Sequence, residues 1–302
     1  MAVTTPSHPL NAARVLAAAL EPTIGQVYFA PEAHAAYAAL GFNGSPASIG
    51  NLQMPDGAAY FTSRGALMGQ VAPTVITAAF AVFNPAAVLP AVEYGWTLTD
   101  ATTIRTARQH SGAALLRRCI GADSTANLLR ASDLLARAVE PLQPEGRPLF
   151  AGARYHFTND SDTWSRYFQL GDMLREFRGD SHTAAWISAG LTAQEINLAS
   201  ELFMGIPPRT YSRSRAWSDA EFDAAAQRLM QRGWFAADHT LTEQGYAERE
   251  LIETVTDTQL APALAALGDD FEELISLLHP WGVAIRAAGG YPDSKAQFNP
   301  TR

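Results

Sequence analysis

The stretch "FRGDSH" places Arg178, Asp180 and His182 within five residues. An imidazole titrates near neutrality, so His182 can carry a proton, Arg178 can hold an anion, and Asp180 can orient either of them. These three form the candidate catalytic set. The same residues have a plainer use: Gly179 as a helix stop, Asp180 as the N-cap of a new helix, and Arg178 as an ion-pair partner. A helix beginning there would also lower the pKa of His182 through its dipole. The imidazole would then stay neutral and able to accept a proton near pH 7.

A second set suits binding; its paired carboxylates Glu253 and Asp257 could share a proton, bind a metal with His182, or receive an Arg. Glu253 and Asp257 stand four apart on one helix face, where exposed like charges repel by about 0.2–0.5 kcal/mol. Something must compensate them, and the Arg-rich strip Arg209, Arg213 and Arg215 is the simplest partner. "YFAPEAH" offers Tyr28, with Glu32 at a helix start and His34 read as an exposed helix residue. "TSRGALMG" sets Arg64 beside Gly65 and Gly69, as an anion-holding loop would, although no complete phosphate loop is present. Asn84 and Trp186 are further candidates for an apolar pocket between the two halves of the chain, although aromatics at helical spacing are core by default. The spacings HExxH, GxSxG, GxGxxG and CxxCH are absent from the sequence. No metal site is assigned and no cofactor is favoured, while haem held by one His stays open as an alternative.

Caps and periodicity show what must position these residues. Helical patterns cover Asn11 to Leu20, Glu32 to Leu40, Thr74 to Phe83 and Pro85 to Val92. Asp100 and Ser124 cap two more, ending near Cys119 and Val139. "EPLQPEGRPLFAG" then breaks the pattern. It suggests a helical domain over residues 1–145, a second domain over 146–290 and a tail over 291–302. In the second part, Thr163 to Phe177, Ser181 to Ala189 and Ala193 to Phe203 read as helices, the last capped by Thr192 after "AGLT". Ser218 opens another helix with a capping box to Glu221. "WFA" and "TLT" flank Asp238-His239 as a small hairpin, Thr242 caps a helix through Thr256, and a last helix covers Asp269 to His279. Helix, helix-turn-helix, helix, hairpin, long helix is the winged-helix order.

Motifs support the same architecture. "YFAPEA", "GRPLFAG", "LREFRGDSH", "AGL" and "IETVTD", with the wing-like "RGWFAADHTLTEQG", resemble a family of actinobacterial helix-turn-helix, MarR-like proteins. The resemblance covers about Leu16 to Pro292 and implies a mainly α fold: a helical N-terminal domain and a C-terminal winged helix with a hairpin wing. Where members of that family often carry a His before "xxxYFAPE", this chain has Thr23-Ile24.

Charge argues against the obvious use of that fold. The net charge of −8 repels nucleic acid and anionic membrane unless a basic patch outweighs it. The second helix, "TAQEINLASELFM", has Gln194 and Asn197 to read bases, yet Glu195 and Glu201 oppose phosphate. A basic edge could still come from Arg209, Arg213, Arg215, Arg228 and Arg232. With 47% hydrophobic residues the chain can build a core, and the apolar run from Val71 to Val92 is too broken by proline to span a membrane. A single cysteine, Cys119, excludes an intrachain disulfide and fits a reducing cytoplasm, as does an N-terminus without a leader pattern.

The first expectation is therefore a winged-helix scaffold turned to small-molecule binding, or to cofactor-independent acid–base catalysis, in specialised metabolism. The ligand would sit in an interdomain pocket. A ligand-responsive MarR-like regulator and a non-catalytic metabolite-binding or resistance protein are the alternatives. Oligomeric state is left open.

Overall fold

A computed structural model describes residues 9–121, 124–159 and 162–293. The residues before 9 and after 293, which include most of the expected tail, lie outside it. The helices in chain order are α1 (Pro9–Gly25), α2 (Pro31–Ala39), α3 (Gly57–Gly65), α4 (Pro73–Ala79), α5 (Pro85–Leu98), α6 (Ala101–Ile120), α7 (Thr125–Val139), α8 (Pro148–Tyr155), α9 (Thr163–Ser188), α10 (Ala193–Phe203), α11 (Asp219–Gln231), α12 (Glu243–Thr258), α13 (Ala261–Leu267) and α14 (Phe271–Ala287). The chain is mainly α, and no described helix is long and apolar enough to cross a membrane.

Local signals set many of the helix starts. Asp100 accepts from the Thr103 amide at 2.9 Å to open α6, and Thr242 accepts from Gly245 at 2.9 Å to open α12. Thr192 and Ser218 form reciprocal capping boxes with Glu195 and Glu221, opening α10 and α11.

The largest departure from the sequence pattern is α9. It runs unbroken for 26 residues, about 39 Å at 1.5 Å per residue. Gly179 does not stop it and Asp180 does not cap a new helix. Asp180 Oδ2 instead accepts from the Leu149 and Phe150 amides, both at 3.0 Å. The carboxylate thus caps α8, 30 residues upstream. Buried neighbours on either side, Phe177 and Ser181, hold the helix through the glycine, whose interior cost is only about 1 kcal/mol.

The apolar residues form three cores, and α9 contributes to the first two. The largest joins α1, α6, α7, α9 and α14 through residues such as Leu16, Ile104, Leu135, Phe168 and Leu278, so it draws on both sides of the Pro-rich break. A second joins the end of α9 to α10, α11 and α12 through Trp186, Ile196, Phe222, Leu229 and Ile252. The third packs Phe61, Phe80, Phe83 and Val92 around α3 and α5. The expected hairpin contracts to one bridge, Phe235 with Leu241. His239 takes φ +63° and Asp238 binds the Thr240 amide, so the turn uses the residues that a longer ladder would need. The sheet among the described residues is a two-residue pair, Ser48–Ile49 with Leu52–Gln53.

Candidate functional site

Asp172, Arg175, Glu176, Gly179 and His182 recur at helical spacing along α9, interleaved with the buried Leu170, Met173, Leu174 and Phe177. Partners converge on them from distant helices. Arg108 of α6 is 1% exposed and binds Asp172 at 3.0 Å. The Tyr28 hydroxyl accepts from both Arg108 and Arg175 at 3.2 Å. Arg175 grips Glu21 of α1 through Nε at 2.9 Å and Nη2 at 3.1 Å. Glu176 receives a fork from Arg64 of α3, 2.9 Å to Oε1 and 2.7 Å to Oε2, and a third bond from Arg175 at 3.1 Å.

One turn further along, Arg178 Nη2 binds Glu253 at 2.8 Å and Asp257 at 3.1 Å. Arg249 and Arg14 complete the pairing of those two acids. Burial opposes ionisation of Glu176, yet Arg64 and Arg175 hold its carboxyl down at about 2. The same contest at Glu253, won by Arg249, His182 and Arg178, also ends at about 2. Burial leaves Asp172 above its ordinary range against the pull of Arg108, and it pushes the Tyr28 hydroxyl upward.

A cavity of about 160 Å³ opens beside this network, between α1, α3 and α9. Glu21, Arg64, Arg175 and Arg178 line its polar side, and Leu16, Leu20, Leu174 and Leu260 its apolar side. Gly179 lies at its exposed rim. A haem held by one His needs an imidazole facing an apolar cavity well above this size, and no histidine lines this one, so these residues do not fit that group.

The two glycines of α9 differ. A Cβ at Gly171 would meet Ile24 at 2.4 Å, so packing requires a glycine there. The resemblance places a histidine at position 24, and here the fully buried Ile24 takes that space. A Cβ at Gly179 would find Glu176 and Arg64 no nearer than 3.8 Å, which is ordinary contact. Neither packing nor backbone geometry demands glycine at 179; what it keeps open is the cavity. Gly171→Ala is expected to lose about 1–3 kcal/mol by overpacking. Gly179→Ala should gain up to about 1 kcal/mol from helix propensity. Urea-unfolding midpoints measure both, and equal losses would show that residue 179 is a packing glycine too.

The sequence candidates scatter around this cavity. Arg64 and Arg178 line it, but Arg64 projects from the last turn of α3 and not from an anion-holding loop. Tyr28 lies behind it, between two guanidiniums. Glu253 and Asp257 anchor Arg178, Arg249 and Arg14; the strip Arg209, Arg213 and Arg215 plays no part. His182 is outside the cavity, its Nδ1 3.1 Å from Thr256 Oγ1. Thr256 gives its one proton to the Ile252 carbonyl at 2.8 Å, so His182 Nδ1 is the donor. His182 sits deep within α9, and the helix dipole expected to tune it acts only in a first turn.

Asp180 faces α8 and Trp186 fills the second core. Asn84 caps α5 through the Ala86 amide at 3.0 Å, and its own amides reach Arg215 and Ala216, tying the two halves together. His34 is buried rather than exposed. Asp172, Arg175, Glu176, Arg108 and Glu21 were missed from the sequence; for the three on α9 the signal was charge at helical spacing between Leu170, Met173, Leu174 and Phe177, and nothing local marks Arg108 or Glu21.

The helix-turn-helix is occupied with itself. No residue of α10 is exposed. Glu195 faces inward to Arg228 at 2.8 Å, Glu201 accepts from the Arg209 and Ser212 amides, and Asn197 donates to the Val82 carbonyl. The outward helix before the bridge is α11, which exposes Asp219, Asp223, Gln227 and Gln231. The expected basic edge is engaged too. Arg209 pairs with Asp219 and Asp223, Arg213 approaches Asp219, Arg215 stacks over Phe83, and Arg232 caps the end of α9 at Ala189 and Gly190.

No curated protein and no solved structure matches the chain. A family described as helix-turn-helix matches residues 13–292, nearly its whole length. The α9–α10 turn and the core beneath it fall within that match, and the chain belongs to this helix-turn-helix family.

Proposed function

We propose that this chain binds a small molecule on a MarR-like winged-helix scaffold and does not read DNA sequence. The observation that carries the reading is the cavity, walled by three arginines and kept open at a glycine that packing does not demand. The order of α9, α10, α11, the Phe235–Leu241 bridge and α12 supports the winged-helix assignment. His182, outside the cavity, has no proton-transfer role in this reading. A chemically mixed library of acids, bases and neutral compounds should contain members that raise the melting temperature of the full chain. A library with none would end the proposal.

The same reading predicts an outcome with DNA. Phosphate contact needs cations free to leave their partners, and the arginines of the helix-turn-helix are engaged within the chain. A gel shift with random-sequence duplexes at about 150 mM salt should show no tight complex, whereas specific binders reach about 10⁻⁸–10⁻¹¹ M. A nanomolar, sequence-dependent shift would establish a ligand-responsive regulator in its place.

A further inference from the structure

The cavity shows a ligand three guanidiniums and one carboxylate. The acids that neutralise Arg64 and Arg178 lie behind them: the side chains of Glu176 and Asp257 are wholly shielded from solvent, that of Glu253 is 14% exposed, and none of the three lines the cavity. Those acids hold the guanidiniums in place before any ligand arrives, which lowers the ordering cost of binding an anion. The Arg64, Arg175 and Arg178 side chains keep 14%, 20% and 24% of their surface exposed, so a ligand in the cavity can reach this wall. Opposite the charges stand Leu16, Leu20, Leu174 and Leu260. The volume, about 160 Å³, is close to that of an engineered cavity that accepts benzene. Inorganic anions would leave the leucine wall uncovered, and neutral hydrocarbons would leave the guanidinium wall unmet.

We infer that the cavity takes a small organic carboxylic acid, its carboxylate on the Arg64–Arg178 side and a compact hydrocarbon body on the leucines. This rests on the small-molecule reading and narrows it. No bond is made or broken in the step.

Calorimetric titration of the full chain with benzoate, benzamide and inorganic phosphate tests it. Benzoate should bind with a Kd of about 1 mM or tighter, and benzamide, the same shape without the charge, at least about tenfold more weakly. Phosphate should not displace benzoate. Arg178→Gln exposes buried acids and can unfold the chain, so the variant of choice is Gly179→Ala. It should melt no lower than the parent and yet lose about tenfold or more in benzoate affinity, because its methyl group enters the cavity.

Equal binding of benzamide and benzoate would overturn the carboxylate class while leaving a small-molecule site. Phosphate binding as tight as benzoate would overturn the organic class. Benzoate binding unchanged by Gly179→Ala would place the site elsewhere. If no probe binds, this inference fails, and the mixed library decides the broader reading separately.

Discussion

Glu176→Gln is expected to cost about 3–5 kcal/mol of stability at pH 7, the range for breaking a buried ion pair from one side. The Glu176 side chain has no exposed surface, and it accepts three bonds from two guanidiniums that are themselves 14% and 20% exposed. The amide keeps one acceptor and turns two N–H donors toward the Arg64 fork, so donors face donors. Urea denaturation with a two-state fit measures the loss. Glu273→Gln, which touches only the exposed pair with Arg130, should leave the midpoint in place. A loss under about 1 kcal/mol for Glu176→Gln would mean that Arg64 and Arg175 have adequate support elsewhere.

The variant should also change the acid limb. The Glu176 carboxyl is held below its ordinary 4.5, at about 2. Its contribution is therefore complete above pH 4.5 and is lost as pH falls toward 2. Glu176→Gln should flatten that part of the profile.

Asp180→Asn should act in the opposite direction and in a different window. Burial lifts the Asp180 carboxyl from 3.8 to about 7, with the nearby Glu176 adding to the rise and the amides of Phe150 and Leu149 and Arg64 opposing it. Between those two values the folded chain binds more protons than the unfolded one. Its stability therefore falls as pH rises from about 4 to about 7, by up to about 4 kcal/mol, and levels off above. Asn keeps a carbonyl oxygen for the Leu149 and Phe150 amides and cannot ionise. His34 and His156, held below their ordinary range chiefly by burial, work the other way in the upper part of this window. The difference between parent and variant isolates Asp180. Unfolding at pH 4 and at pH 7.5 should show Asp180→Asn gaining on the parent by several-fold more than experimental error, and a difference that does not change with pH would refute the assignment.

What the sequence revealed and what it hid follow from the range of each interaction. The caps at Asp100, Thr192, Ser218 and Thr242 were legible because each side chain binds an amide three residues away. Gly179-Asp180 carries the same local signals, a stop and a cap, and was misread for that reason. The amides that Asp180 satisfies belong to α8, and nothing near position 180 announces them. The mainly helical class was legible from periodicity. The site was legible only in part: Arg64 and Arg178 stood out as isolated cations, but the carboxylate that fixes Arg64 is 112 residues away. Glu253 and Asp257 did need compensation; their cations are Arg14 of α1, Arg178 of α9 and Arg249, one turn back on α12, rather than the strip Arg209, Arg213 and Arg215. The hairpin was overcalled because "WFA" and "TLT" have strand composition, yet a turn at His239 leaves length for one bridge.

The continuity of α9 has a consequence for how this chain can change over generations. Gly179, at the rim of the cavity, and Trp186, in the helix-turn-helix core, ride on one rod with no joint between them. Adding or removing a single residue in that span would rotate one end against the other by about 100°. Trp186 would then swing out of its core, or the Arg178 face away from α12, and no loop is present to absorb the offset. The length of this interval is therefore fixed: the two ends are locked in phase.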